Sequence, residues 1–258
     1  MKISTILVKN TTGTKPGDGI DIEHDFAADP LSNITISTSI FDNNNYHLQV
    51  NQRSTSTDRS VSIVGNTLSN HRGFAGIYIN NAINASIIGN IIRLNAQRGV
   101  AIISSDNNIV KANIFIGNYQ PIERYGVLVA GNSTTDSNNN SIVGNIFYQL
   151  YHIGIFVDLI NNFGNVKGLT ITKNRLYNVI SPAETDKAPI TFQVTSGRTI
   201  RDVDFSDNII RDTRTGGNEA NMGIQAITLT DADLATWEIH DNIVVGPTTP
   251  LSVPETWP

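Results

Sequence analysis

The chain has 258 residues, 16% of them charged and 39% hydrophobic, with 18 Lys plus Arg against 23 Asp plus Glu and a formal net charge of -5. No basic stripe able to neutralise a phosphate backbone is present, so nucleic acid is not an expected partner. There is no Cys, which removes disulfides and thiolate metal sites, and the longest early apolar run, Ile6-Leu7-Val8, is too short for a signal core or a membrane span.

In chain order the sequence predicts short strands in two alternating sets. One set carries a repeated phrase: an apolar strand, a small or polar residue, Asn, any residue, then an apolar residue. It reads Leu7-Val8-Lys9-Asn10, Ile63-Val64-Gly65-Asn66, Ile87-Ile88-Gly89-Asn90, Ile142-Val143-Gly144-Asn145 and Ile171-Thr172-Lys173-Asn174. Weaker copies put Ser39, Asn113, Asn208 and Asn242 in the same slot, at successive intervals of 29, 27, 24, 23, 32, 29, 34 and 34 residues. A constant core phrase with variable coil length is the signature of a solenoid, here of about nine coils. The Asn is expected at a sharp bend, where it tolerates left-handed backbone and hydrogen-bonds from coil to coil. These Asn residues are therefore structural rather than a sugar-binding row.

The second set lies between successive Asn bends and often starts with Gly: Gly19-Ile20-Asp21-Ile22-Glu23, His47-Leu48-Gln49-Val50, Gly76-Ile77-Tyr78-Ile79, Gly99-Val100-Ala101-Ile102, Gly126-Val127-Leu128-Val129, Gly154-Ile155-Phe156-Val157, Phe192-Gln193-Val194 and Ile227-Thr228-Leu229. Alternation turns the aliphatics inward and leaves an outward row Asp21, Gln49, Tyr78, Ala101, Leu128, Phe156, Gln193 and Thr228. The next outward row is Glu23, Asn51, Asn80, Ile103, Ala130, Asp158, Thr195 and Thr230. Polar and aromatic character is concentrated in the first three coils of both rows.

This pattern resembles the pectate-lyase-like superfamily over nearly the whole chain. The resemblance implies an all-β, right-handed parallel β-helix spanning 1–258, with the Asn ladder at one bend. Both ends read as cut, so the sequence is expected to be a fragment or a chain capped by an oligomeric partner. The resemblance also implies polysaccharide bound along the outer face of the Gly-led strands, an extracellular, cell-surface or virion setting, and a homotrimer as one candidate assembly.

Four carboxylates, Asp18, Asp21, Glu23 and Asp25, fall within eight residues. If Ile20 and Ile22 face the core, Asp21 and Glu23 share the outer face about 6.6 Å apart, near the lower end of the carboxyl spacing of inverting glycosidases. The segment resembles the aspartate-bearing strand of polygalacturonases, although their Gly-His-Gly and Arg-any-Lys signatures are absent. The expected catalytic set is Asp21 and Glu23, with Asp18 and Arg98 in support. Substrate would meet Tyr78, Gln49, Asn80, Arg72 and His71.

A lyase would use the acids differently. Asp21, Glu23 and Asp25 would hold Ca2+ against a uronate carboxylate while Arg72 or Arg98 removes the α-proton; a hydrolase needs no cofactor. An acid-rich edge strand is also a common way to keep sheets from pairing edge to edge. His24, His47, His71, His152 and His240 show no metal spacing and read as surface or groove residues. Tyr46, Tyr78, Tyr125 and Phe156 would either stack on sugars or pack under loops.

The alternative to an enzyme is a glycan-binding or structural module such as a tailspike shaft or adhesin, in which the outward aliphatics Ile103, Leu128 and Phe156 would be covered by loops or a neighbour. An ice-binding face is disfavoured by the irregular coil lengths and the lack of an outward Thr ladder.

Overall fold

The computed structural model describes residues 1–11, 17–23, 32–51, 60–93, 97–117, 125–132, 135–159, 164–180, 188–195, 197–214, 220, 222–247 and 249–252. Their strands are three to seven residues long in the three main sheets, each of which holds nine strands. We call these sheet A, from Lys2–Ser4 to Glu238–His240; sheet B, from Leu7–Lys9 to Ile243–Val245; and sheet C, from Ile20–Glu23 to Thr249–Ser252. Successive strands of a sheet come from successive coils and pair in parallel, so the chain winds as a right-handed β-helix, in the expected class. A fourth, three-stranded sheet (Ser137–Asn138, Val166–Lys167 and Ile200–Arg201) widens the later coils. No helix among the described residues is long and apolar enough to cross a membrane.

The core follows from the alternation of short strands. Sheet B turns one residue per coil inward, and Phe41, Leu68, Ile92, Phe115, Phe147 and Leu176 in that column are completely buried. Phe115 and Phe147 stack nearly flat, with ring centroids 4.7 Å apart. Column stacking of like side chains fills the narrow interior and explains why the same residue types recur at a fixed place in each coil.

The corner between sheets A and B contains the Asn ladder, with a different division of labour from the expected one. The left-handed residue is the one before the ladder position, which is Ile6 in the first coil, Ser39 in the second and Asn in the rest: Thr5, Thr38, Gly65, Gly89, Ala112, Gly144, Lys173, Asp207 and Asp241 all have φ between 49° and 63°. The Asn itself supplies hydrogen bonds. The Asn145 side-chain oxygen accepts from the backbone N–H and the side-chain amide of Asn113, at 2.9 and 3.0 Å, while its own amide donates to the Val110 carbonyl at 2.9 Å. The same pattern links Asn66, Asn90, Asn113, Asn145, Asn174, Asn208 and Asn242.

The first repeat is out of step with the sequence reading. Ser39 accepts from the backbone of Ile6, 33 residues earlier, so Ile6 occupies the ladder slot of the first coil. Asn10 lies at the next corner, where its side chain accepts from Asn43 at 2.7 Å. Both corners use a left-handed Asn or its neighbour, and a single Asn could not tell them apart in the sequence.

Sheet C has the expected inward column, and its outward register matches through the sixth coil: Asp21, Gln49, Tyr78, Ala101, Leu128 and Phe156 are successive partners. Beyond it the row continues through Thr191 and Gln225 rather than Gln193 and Thr228. Gln193 instead pairs with Asp158 and Ile227, one step along, where Thr195 and Thr230 were expected. The glycine that starts earlier strands is replaced by Pro189 in the seventh coil, which removes the phase marker. That glycine is demanded by packing: a Cβ on Gly126 would lie 2.5 Å from the Gly154 carbonyl and from the Phe147 ring.

Candidate functional site on the outer face of sheet C

The acid strand Ile20–Glu23 is the first of sheet C and pairs with Leu48–Asn51. Ile22 is buried, whereas Asp21 and Glu23 on either side of it are exposed on the same outer face, as strand alternation requires. In the next two coils Gln49 and Tyr78 continue the Asp21 row, and Asn51 and Asn80 continue the Glu23 row. The Asn80 amide donates to Asn51 at 3.0 Å, tying the second row together. Five of the expected site residues, Asp21, Glu23, Gln49, Tyr78 and Asn80, therefore share one contiguous surface.

Asp21 is the perturbed acid. Loss of water around its carboxyl raises its pKa to about 6, and the nearby charges of Glu23 and Asp18 push in the same direction; a hydrogen bond from Gln49 opposes them. Asp21 is thus still partly protonated near neutral pH although much of the residue faces solvent. Asp18, just before the strand, also holds the Tyr46 hydroxyl in its protonated form, after burial as the main cause.

Beside the acids runs a band of rings. Tyr46 and Tyr78 lie 5.8 Å apart, and Phe74 meets Tyr78 edge-on at 5.6 Å. The Arg98 guanidinium stacks 3.8 Å above the Phe74 ring and 5.3 Å from Tyr125, which in turn packs 4.9 Å from Phe156. Cation–π stacking fixes the guanidinium plane over a ring, and its edge donates to the Gln97 side-chain oxygen. The band rises through five coils, about 19 Å along the axis at ~4.8 Å per strand. Phe74 was not singled out in the sequence; its one signal is an aromatic residue directly before the Ala75–Asn80 strand.

Other expected members are separated from this surface. Arg98 begins a strand three coils from Asp21, about 14 Å along the axis, with its guanidinium on the ring band rather than beside the acids. Arg72 is exposed at the corner before that band, its backbone N–H donating to the Asn44 carbonyl at 3.0 Å. His71 is buried to 1% exposure, its ring edge-on to the fully buried His47 at 5.8 Å, and is removed from the substrate face. The bulk of the imidazole fills the corner under the strands, and burial lowers the His47 pKa to about 4. His152 is buried as well, so of the expected surface histidines only His240 is exposed among those described; His24 lies outside the described residues.

Of the expected Ca2+ ligands, Asp21 and Glu23 share the outer face of one strand and Asp25 lies outside the described residues; among the described residues no three His, Cys, Asp or Glu side chains are close enough to hold a metal.

The outward aliphatics of the middle coils are covered within the chain itself. Leu128 and Phe156 are 4% and 5% exposed, and Ile103 is half-buried. The paired acids are confined to the first coil of sheet C, while partly exposed Asp158, Gln193 and Gln225 lie on its outer face further along.

Similarity to known proteins is structural and distant. An alginate lyase from Paenibacillus sp. strain FPU-7 is 15% identical, with 95% of this chain and 96% of that one aligned at a TM-score of 0.41. The catalytic domain of a GH87 alpha-1,3-glucanase in complex with tetrasaccharides is 11% identical, over 83% of this chain and 56% of that one, at a TM-score of 0.29. The tailspike protein of Acinetobacter baumannii phage AM24 is 10% identical, over 90% of this chain and 45% of that one, at a TM-score of 0.32. No protein with a curated description matches the chain. The family profile described as "Right handed beta helix region" matches residues 3–142 and 32–186, and the chain belongs to that family.

Proposed function

We propose that the chain is a carbohydrate-active β-helix protein that hydrolyses an acidic polysaccharide lying across the first coils of sheet C. The observation that carries this reading is the raised pKa of Asp21, about 6, on an open face beside a second carboxylate and a ring platform. A general acid works best when its pKa lies near the working pH. In this role Asp21 donates its proton to the leaving glycosidic oxygen as the bond to the anomeric carbon breaks. Glu23, about 6.6 Å along the strand, accepts a proton from the water that adds to that carbon.

Tyr46, Tyr78 and Phe74 offer ring faces to successive sugars, and the positive charge of Arg98, held over Phe74, favours an anionic sugar nearby. Gln49 and Asn80 supply hydroxyl partners. Arg72 at the rim adds a second cation for an anionic chain.

The test is release of reducing ends from a panel of uronate and neutral polysaccharides, with ultraviolet absorbance of unsaturated uronates as the marker of elimination. Reducing ends without that absorbance, abolished in both Asp21→Asn and Glu23→Gln, is the expected result. Absorbance that requires Ca2+ would replace hydrolysis by elimination.

A second reading, a glycan-binding surface without cleavage, is favoured by one feature: the Arg98 platform on Phe74 and Tyr125 is centred away from the acids. Silence across the panel, together with binding that Tyr78→Ala weakens, would select it.

A further inference from the structure

Sheet B carries an outer face that the reading of sheet C does not use. Each of its three-residue strands turns its first and third side chains outward. From the third coil to the ninth no outward position holds an acid, whereas Arg93, Arg175 and Arg211 stand exposed in the fourth, seventh and eighth coils. This is a basic strip on a chain whose formal net charge is -5. Among the described residues none of the three guanidiniums makes a hydrogen bond or an ion pair.

Neighbouring acids are engaged or set apart. The Asp212 carboxylate, next along the chain from Arg211, is buried and accepts from Arg214 and from the Ala220 N–H. Asp241 pairs with His240, and Asp207 sits at the corner between sheets A and B, before the strand begins. Rings and aliphatics complete the strip. Tyr148, Tyr177 and Arg211 are register partners in one row from the sixth coil to the eighth, and Tyr148 is 42% exposed. In the other row Ile91, Ile114 and Ile146 precede Arg175 on successive strands.

We infer that the outer face of sheet B, from the fourth coil to the eighth, is a second binding surface for an anionic linear polysaccharide laid along the solenoid axis. The inference rests on the reading that the ligand of this chain is an acidic polysaccharide, and it adds a site remote from the acids. The shape of the strip selects a polymer. Strands of three residues make it about 10 Å wide, while the five coils span about 19 Å and all nine about 38 Å. Even the whole face therefore offers only about half of the ~800 Å² per partner of a standard protein interface. An extended sugar chain needs no more than a long, narrow strip.

The chemistry selects an anionic one. A guanidinium gives two parallel N–H donors to a carboxylate or sulfate, and tyrosine rings and flat aliphatic rows take the C–H faces of sugars. Nucleic acid is disfavoured, since three cations on an acidic chain neutralise few of its closely spaced phosphates. Holding one stretch of polymer on sheet B raises the local concentration of its other stretches at sheet C.

The test is calorimetric binding of polygalacturonate to the full chain carrying Asp21→Asn, which keeps bound polymer intact. Adding Arg175→Ala and Arg211→Ala together should weaken binding about tenfold, and the loss should shrink as salt is raised. Arg175→Lys with Arg211→Lys should recover part of it, and circular dichroism checks the fold of each variant. Adding Tyr78→Ala instead should leave part of the binding in place. Binding unchanged by the paired Ala substitutions, or abolished by Tyr78→Ala alone, would overturn the second surface and leave the sheet C reading standing. Equal affinity for neutral dextran or for single-stranded polydeoxythymidylate, or no binding of polygalacturonate at all, would overturn it as well. Arginine-dependent binding to an unmodified chain that releases no reducing ends would instead retain this surface and remove the hydrolytic reading.

Discussion

The corner between sheets A and B and the outer face of sheet C divide the work of this molecule. The corner spans two residues in every coil, and its ladder of buried amides repeats with little variation from Asn66 to Asn208, with Ser39 and the less buried Asn242 at its ends. On the sheet C side the linking segments vary in length, and the outer residues change from acids and rings to buried aliphatics within four coils. A backbone satisfied at one repeated corner holds the stack together, and this frees the other corners to diversify. Chemistry belongs where the repeat is least strict.

That contrast can be broken most severely at the ladder. Asn145→Ala would leave the Asn113 backbone N–H and amide without their acceptor and the Val110 carbonyl without its donor. Each buried orphan costs about 1–3 kcal/mol, so a loss of roughly 3–5 kcal/mol is expected in chemical denaturation. Asn242→Ala, at the less buried end of the ladder, should cost about 1 kcal/mol. Equal losses at the two positions would mean that the ladder is not the stabilising device.

The opposite pattern is expected on sheet C. Asp21→Asn should lower turnover by about 10²–10⁴-fold. It should leave the melting temperature unchanged or slightly higher, because an acid whose folded pKa is raised binds more protons folded than unfolded, and its ionisation opposes folding as pH rises towards 6. A variant that loses activity and stability together would reduce the acid cluster to a structural feature. Tyr78→Ala should weaken glycan binding about tenfold with little change in the turnover of bound substrate, as measured by calorimetry and saturation kinetics.

The smallest expected effect is on pH dependence. Buried His47, with its pKa lowered from 6.5 to about 4, binds fewer protons in the folded than in the unfolded chain. Its contribution is present above pH 6.5 and is lost progressively as pH falls towards 4. Urea midpoints measured across that window should fall less steeply for His47→Gln than for the unmodified chain.

The periodic part of the fold was legible because the same physical demand recurs in each coil. Ile63, Ile87 and Ile142 fill one inner column, and Asn66, Asn90 and Asn145 belong to one hydrogen-bonded ladder that runs through Asn113. Misreadings arose where the marker was ambiguous. Asn10 belongs to a different corner from Asn66, and Pro189 stands where Gly126 and Gly154 had announced a strand. The acid pair was visible because strand alternation alone sets Asp21 beside Glu23. The burial of His71 and the stacking of Arg98 on Phe74 depend on how separate coils pack, which no local pattern encodes.

The most direct test of the central claim is a titration of the Asp21 carboxyl by carbon NMR on aspartate-labelled protein, with Asp21→Asn giving the assignment. An apparent pKa near 6, falling when Glu23→Gln and Asp18→Asn are introduced, is the expected result. A carboxyl titrating near 4 and indifferent to both substitutions would contradict the account: sheet C would then carry an ordinary surface acid rather than one poised to give up a proton.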